Sequence, residues 1–285
     1  MSALVTTSWL ANRFGDPDTV ILDATLPPVG VSPEVDVRAH YLSTHLRGAV
    51  FFDIEELSDK STPLPHMLPT PETFAREMSN LGIREEMTVV VYEQSGVFSA
   101  PRAWWMLRTF GAQHVYLLDG DLKAWIAAGL PTASGPVPRT RTTFKATFHP
   151  EAVHSFAEMQ HMIAEGGQIL DARPSGRFDG TSPEPRPGIS SGHMGGAINV
   201  PFTELTANGR LKPTEQLLEL FRTRNVDPHK PVTTTCGSGV TAAVLALGLE
   251  LCGAADVSLY DGSWSEFAGH PEAVIEKTSQ AQQPR

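Results

Sequence analysis

The chain is written twice, and that repetition constrains its fold more than any other feature. Leu22-Asp23-Ala24 recurs as Leu170-Asp171-Ala172, and His45-Leu46-Arg47-Gly48-Ala49-Val50 recurs at the same offset as His193-Met194-Gly195-Gly196-Ala197-Ile198. Ser95-Gly96-Val97 then matches Ser238-Gly239-Val240, and Leu118-Asp119-Gly120 matches Tyr260-Asp261-Gly262, with the offset drifting by only a few residues. Four blocks in one order mark a tandem duplication. Within each half, short apolar or β-branched runs alternate with helical ones. Residues 20–23, 88–92 and 115–118 read as strands in the first copy, and 168–171, 232–235 and 257–260 in the second. Helices are expected over 100–110, with Pro101 near its start and Gly111 just past its end, and over 240–252. Such alternation predicts an α/β fold, each copy a mainly parallel sheet flanked by helices. The expected division is a first domain over 1–131, an extended Pro- and Thr-containing linker over 132–150, and a second domain over 151–285. The polar tail from Lys277 to Arg285 is expected to fray.

Parallel sheets of this kind place ligands at the carboxyl ends of their strands. Cys236 stands there, in Thr234-Thr235-Cys236-Gly237-Ser238-Gly239-Val240-Thr241-Ala242, a tight turn between a strand and a helix. Glycines let the backbone curl so that successive N–H groups converge, and the helix N-terminus adds its positive end. A sulfur at that point is expected to ionise more readily than a free thiol. The first copy supplies an internal control: Glu93 stands opposite Cys236 and Gln94 opposite Gly237. That copy has no thiol, so one active site per chain is expected, with the first copy completing the cleft. His45 and His193 occupy equivalent positions in both copies and read as structural; Asp119 and Asp261 likewise read as turn or capping residues.

Composition narrows the function classes. The chain has 285 residues, 41% hydrophobic and 19% charged, enough to bury sizeable cores. A formal charge of -10 argues against nucleic-acid and anionic-membrane partners. Two cysteines make no disulfide framework; Cys252, in an apolar stretch, reads as packing. Ten scattered histidines and no CxxC or HExxH spacing leave no expected metal site. The longest apolar stretch, 240–255, is too short to span a bilayer and contains Glu250, and the N-terminus lacks a leader pattern, so a cytoplasmic protein is expected.

These motifs resemble the two-domain rhodanese-like sulfurtransferases along nearly the whole chain. Cys236-Gly237-Ser238-Gly239-Val240-Thr241-Ala242 is similar to the active loop of members that take 3-mercaptopyruvate, whereas members preferring thiosulfate carry basic residues directly after the cysteine. Asp171-Ala172-Arg173-Pro174, Gly176-Arg177-Phe178 and Glu184-Pro185-Arg186 resemble the family's substrate-arginine segment. His66-Met67-Leu68-Pro69 and Ser99-Ala100-Pro101-Arg102 with Trp104-Trp105 resemble its N-terminal domain. The resemblance implies a ping-pong transfer through a Cys236 persulfide, from a small-molecule sulfur donor to cyanide, small thiols or thioredoxin, with pyruvate released and no cofactor. It implies that Arg177 and Arg186 hold the substrate's carboxylate and carbonyl and that Gly237, Gly239, Val240 and Thr241 line the substrate loop. It also implies that Ser238, His66 and Glu55 manage protons; Glu55 stands where some members carry aspartate.

The residues agree independently. A 2-oxo carboxylate suits planar guanidinium forks, and C–S cleavage leaves enolate character that needs stabilisation and a proton. Three rival readings separate on residues. A phosphatase loop needs arginine six positions after the cysteine, where Ala242 stands. A thiosulfate sulfurtransferase calls for cations beside the sulfur, which Gly237 and Ser238 do not supply. A persulfide carrier would keep Cys236 but turn over little donor.

Overall fold

The computed structural model describes residues 2–27, 29 and 35–278 and divides into two compact units. The first comprises Met1–Thr62, Leu68–Pro150 and Thr206–Lys212; the second comprises Pro63–Met67, Glu151–Leu205 and Pro213–Arg285. In the first, β1 (Leu4–Val5), β2 (Thr19–Asp23), β3 (Val50–Phe51), β4 (Thr88–Tyr92) and β5 (His114–Leu118) form one sheet in the order β1-β5-β4-β2-β3. In the second, β6 (Val153–His154), β7 (Gln168–Asp171), β8 (Ile198–Asn199), β9 (Val232–Thr235) and β10 (Val257–Tyr260) take the equivalent order β6-β10-β9-β7-β8. Every pairing in both sheets is parallel. The central strands are buried along nearly their whole length, which is why Val89-Val90-Val91 and Val232-Thr233-Thr234-Thr235 carry no charged side chain.

The expected helices are present with slightly shifted ends. Ala100–Thr109 is followed by Gly111 at φ +92°, a left-handed conformation that suits glycine after a helix. The later helix is Ala242–Leu251 rather than 240–252, because Val240 and Thr241 still belong to the turn that leaves Cys236. Its residues 242–249 are all buried, as an apolar run on every side requires. Gly248 lets Leu205 approach: a Cβ there would stand 2.6 Å from Leu205 Cδ2.

The repeated histidines are structural. His45 and His193 begin short antiparallel pairs, His45–Leu46 with Thr132–Ala133 and His193–Met194 with Ile275–Glu276. His45 is buried, stacked on Tyr41, with its ring nitrogens 2.8 and 3.0 Å from the carbonyls of Leu46 and Gly135. His193 stacks on Phe178 and bonds that residue's carbonyl through Nδ1. Asp119 lies in the bend after β5, where it pairs with Arg210 at 2.9 Å, and Asp121 caps the helix that follows, accepting from the N–H groups of Ala124 and Gly96. Residues 134–149 run extended without regular structure but are fastened to the first unit. The N–H groups of Thr142, Thr147 and His149 donate to the carbonyls of Ser79, Phe110 and Thr109, and Phe144 is buried against Phe74. Most of the tail expected to fray lies outside the described residues; Thr278 donates to Asp179 through both N–H and hydroxyl.

Candidate active site

Cys236 follows β9 and is 2% exposed. Its loop is held from one side by the turn after β10. The N–H of Trp264 donates to the Cys236 carbonyl (2.9 Å), and the N–H and hydroxyl of Ser265 both donate to the Gly237 carbonyl (3.0 and 2.6 Å). In a trans peptide the next N–H points opposite to the carbonyl. Turning those two carbonyls toward 264–265 therefore turns the N–H groups of Gly237 and Ser238 the other way. Gly239 sits at φ +78°, where a side chain would be strained, and this completes the curl. Ser263, itself left-handed at φ +50°, accepts from the Cys236 N–H (3.3 Å) and donates to the Tyr260 carbonyl.

The first copy shows what such a loop binds. Glu93, opposite Cys236, is buried, and its Oε1 accepts from the N–H groups of Phe98, Ser99 and Ala100 at 2.7, 3.1 and 3.1 Å. Ser99 Oγ adds a bond to Oε2. The loop of the first copy is thus an amide cradle filled by a carboxylate, and Cys236 stands at the equivalent position of the second copy. Burial pushes the Glu93 carboxyl up to about 7, against the lowering effect of those donors.

Among the other expected residues, Ser238 and His66 meet. Both are buried, and Ser238 Oγ lies 2.9 Å from His66 Nδ1, although 172 positions separate them. Segment Pro63–Met67 packs with the second unit, and His66 holds a left-handed backbone (φ 61°) there. Arg177, on the helical turn Ser175–Phe178, and Arg186, in the loop that follows, both come to Gly237. From a Cβ placed on Gly237, Arg177 Nη2 would lie at 3.3 Å and Arg186 Nη1 at 4.0 Å. Glu55 belongs to the first unit. It lies exposed on Ile54–Leu57 of the first unit, lining a cavity of about 400 Å³ with Asp36, Arg38 and Asp53.

Sequence reasoning assigned no role to the charge network behind the arginines. Arg173, 1% exposed, donates to Asp171 through Nε and Nη2, to the Gly192 carbonyl through Nη2 and to Glu184 through Nη1, and lies over the Trp264 ring at 4.1 Å. A signal was available in the duplication. Asp171 matches Asp23, which in the first copy serves Thr25 and Gln94, and Arg173 stands where that copy has Thr25. Arg173 and its ion pairs with Asp171 and Glu184 therefore belong to the cysteine-bearing copy alone. Among the described residues, no group of three or more His, Cys, Asp or Glu side chains is placed to hold a metal ion. No described helix is long and apolar enough to cross a membrane.

Comparison with known proteins extends this geometry. The rhodanese-like domain model matches residues 6–128 and 155–270. The 3-mercaptopyruvate sulfurtransferase of Escherichia coli K12 is 46% identical over 269 residues, covering 94% of this chain and 95% of its own length. The thiosulfate sulfurtransferase of Gallus gallus is 42% identical over 274 residues, covering 93% of each. The crystal structure of the 3-mercaptopyruvate sulfotransferase SseA from Escherichia coli superposes with a TM-score of 0.86 at 44% identity, over 93% of this chain and 99% of that one. Two copies of one parallel-sheet domain, one with a cysteine where the other has a buried glutamate, and relatives of this extent mean that the chain belongs to the two-domain rhodanese-like sulfurtransferases.

Proposed function

We propose that the chain is a 3-mercaptopyruvate sulfurtransferase. The observation that carries this reading is the convergence of Arg177 and Arg186 on Gly237, the residue next to the nucleophile, in a loop with no cation of its own. Two planar guanidinium groups there suit the adjacent carboxylate and carbonyl of a 2-oxo acid. The Cys236 thiolate attacks the substrate's sulfur, and the C–S bond breaks with its electron pair moving onto carbon. The resulting enolate is stabilised by the Ser238 hydroxyl, takes a proton and leaves as pyruvate, while the arginines hold the donor's carboxylate and carbonyl. Ser238 and His66, in contact, supply that proton through the Ser238 hydroxyl. The persulfide on Cys236 sits against the loop amides until an acceptor thiolate, or cyanide, attacks its outer sulfur and restores Cys236. Small thiols and thioredoxin are the acceptors of this reading, and it needs no cofactor. Gly237, Gly239, Val240 and Thr241 shape the loop around Cys236, and Glu55 belongs to the other unit.

The same two arginines make thiosulfate, a compact dianion, a secondary donor. The deciding experiment measures kcat/KM for 3-mercaptopyruvate and thiosulfate side by side with cyanide as acceptor. A large preference for 3-mercaptopyruvate is expected, and Cys236→Ser should abolish transfer from both. Arg177→Ala and Arg186→Ala should each raise KM for 3-mercaptopyruvate. A preference for thiosulfate, or unchanged kinetics in both arginine variants, overturns the substrate assignment.

A further inference from the structure

Arg177 and Arg186 carry like charges and both approach Gly237, so mutual repulsion favours their moving apart. What opposes this is a carboxylate beside Arg177. Glu184 is buried (side chain 4% exposed), and its two oxygens serve two different arginines. Oε1 accepts from Arg173 Nη1 at 2.8 Å, and Oε2 faces Arg177 Nε at 3.4 Å. That Nε is shielded from water and makes no hydrogen bond among the described residues, so the Glu184 carboxylate is its charge partner. Arg173 gives Glu184 a fixed base, clamped by Asp171, the Gly192 carbonyl and the Trp264 ring. The charges alternate in sign from Asp171 through Arg173 and Glu184 to Arg177. Nε and Nη2 share one edge of the planar guanidinium, so fixing Nε beside Glu184 also fixes the position of Nη2 beside Gly237.

We infer that Glu184 is a positioning residue for donor recognition: it carries the rigidity of the Asp171–Arg173–Trp264 cluster to Arg177 and aims that guanidinium at the substrate site. This rests on the reading of Arg177 as a substrate-binding residue. Aiming a charged fork before the substrate arrives improves binding of an anion, since less freedom is lost on association. The effect therefore falls on KM and spares the sulfur-transfer step at Cys236.

The test is a double-mutant cycle in the full chain with 3-mercaptopyruvate as donor and cyanide as acceptor, using Glu184→Gln, Arg177→Ala and the pair. Glu184→Gln should raise KM roughly tenfold while kcat changes by less than about twofold. In the Arg177→Ala background the same change should add nothing. A merely structural role for Glu184 would cost as much in that background as in the wild type, and this result would overturn the inference. So would an unchanged KM in Glu184→Gln alongside a raised KM in Arg177→Ala, an outcome that leaves the substrate reading standing. If Arg177→Ala itself has a normal KM, the substrate reading fails and the inference with it. Should Glu184→Gln not fold, Glu184→Asp takes its place. It keeps the charge beside Arg173 but withdraws it from Arg177, and it should raise KM in the same background-dependent way.

Discussion

Replacing Glu93 with glutamine tests whether the first domain's cradle holds an ionised or a neutral group. Burial raises this carboxyl from 4.5 to about 7 in the folded protein, with the N–H groups of Phe98, Ala100 and Ser99 pulling the other way. The folded state therefore keeps the Glu93 proton over a range where the unfolded chain has released it. The associated stability is fully present below about pH 4.5, declines as pH rises, and is gone above about pH 7. At about 1.4 kcal/mol for each pH unit between the two values, the loss amounts to roughly 3 kcal/mol. No discount for solvent applies, because Glu93 is 3% exposed. Glutamine keeps the shape and an acceptor oxygen but cannot ionise. The stability of Glu93→Gln minus that of wild type should thus grow by about 3 kcal/mol between pH 4.5 and about pH 8. Other titrating groups cancel in that difference. Urea unfolding at a series of pH values measures it, followed by tryptophan fluorescence; Trp104 and Trp105 lie in the helix whose first N–H binds Glu93. A difference flat to within about 0.5 kcal/mol across the range would show that the three amides hold the carboxylate ionised throughout and that burial does not govern this site.

Two further perturbations address packing and thiol chemistry. Gly248→Ala gains about 1 kcal/mol of helix propensity but drives a methyl against Leu205 in a filled core, at a cost of about 1–3 kcal/mol. A lower Tm by a few degrees is expected, and a higher Tm would refute the close approach. Cys252, whose thiol burial pushes up to about 11, is protonated at neutral pH; Cys252→Ala should keep kcat/KM within about twofold, and a large loss would point to a role in the chemistry.

Much of the architecture was legible in the residues because its signals are local or repeated. Parallel, doubly covered strands must be uninterrupted apolar or β-branched runs, so Thr88–Tyr92 and Val232–Thr235 were readable to the residue. Duplication doubled every such signal and set Glu93 against Cys236. The start of the Cys236 helix was placed two residues early, since Val240 and Thr241 look apolar or neutral whether in a turn or a helix.

The polar groups divide along the same line. The sequence by itself determined the duplicated α/β frame, the seat of Cys236 at a strand end and the presence of two arginines in a nearby loop, because each depends on short-range chain geometry. Only the tertiary structure decided that His66, 172 positions away, meets Ser238, that Arg177 and Arg186 reach Gly237, and that Arg173 and Glu184 stand behind them. A charged side chain carries no periodicity to announce its partner. Which charges face one another is settled by where the packed strands and loops deliver them, and for the buried side chains of Arg173 and Glu184 the partner then stands in for water.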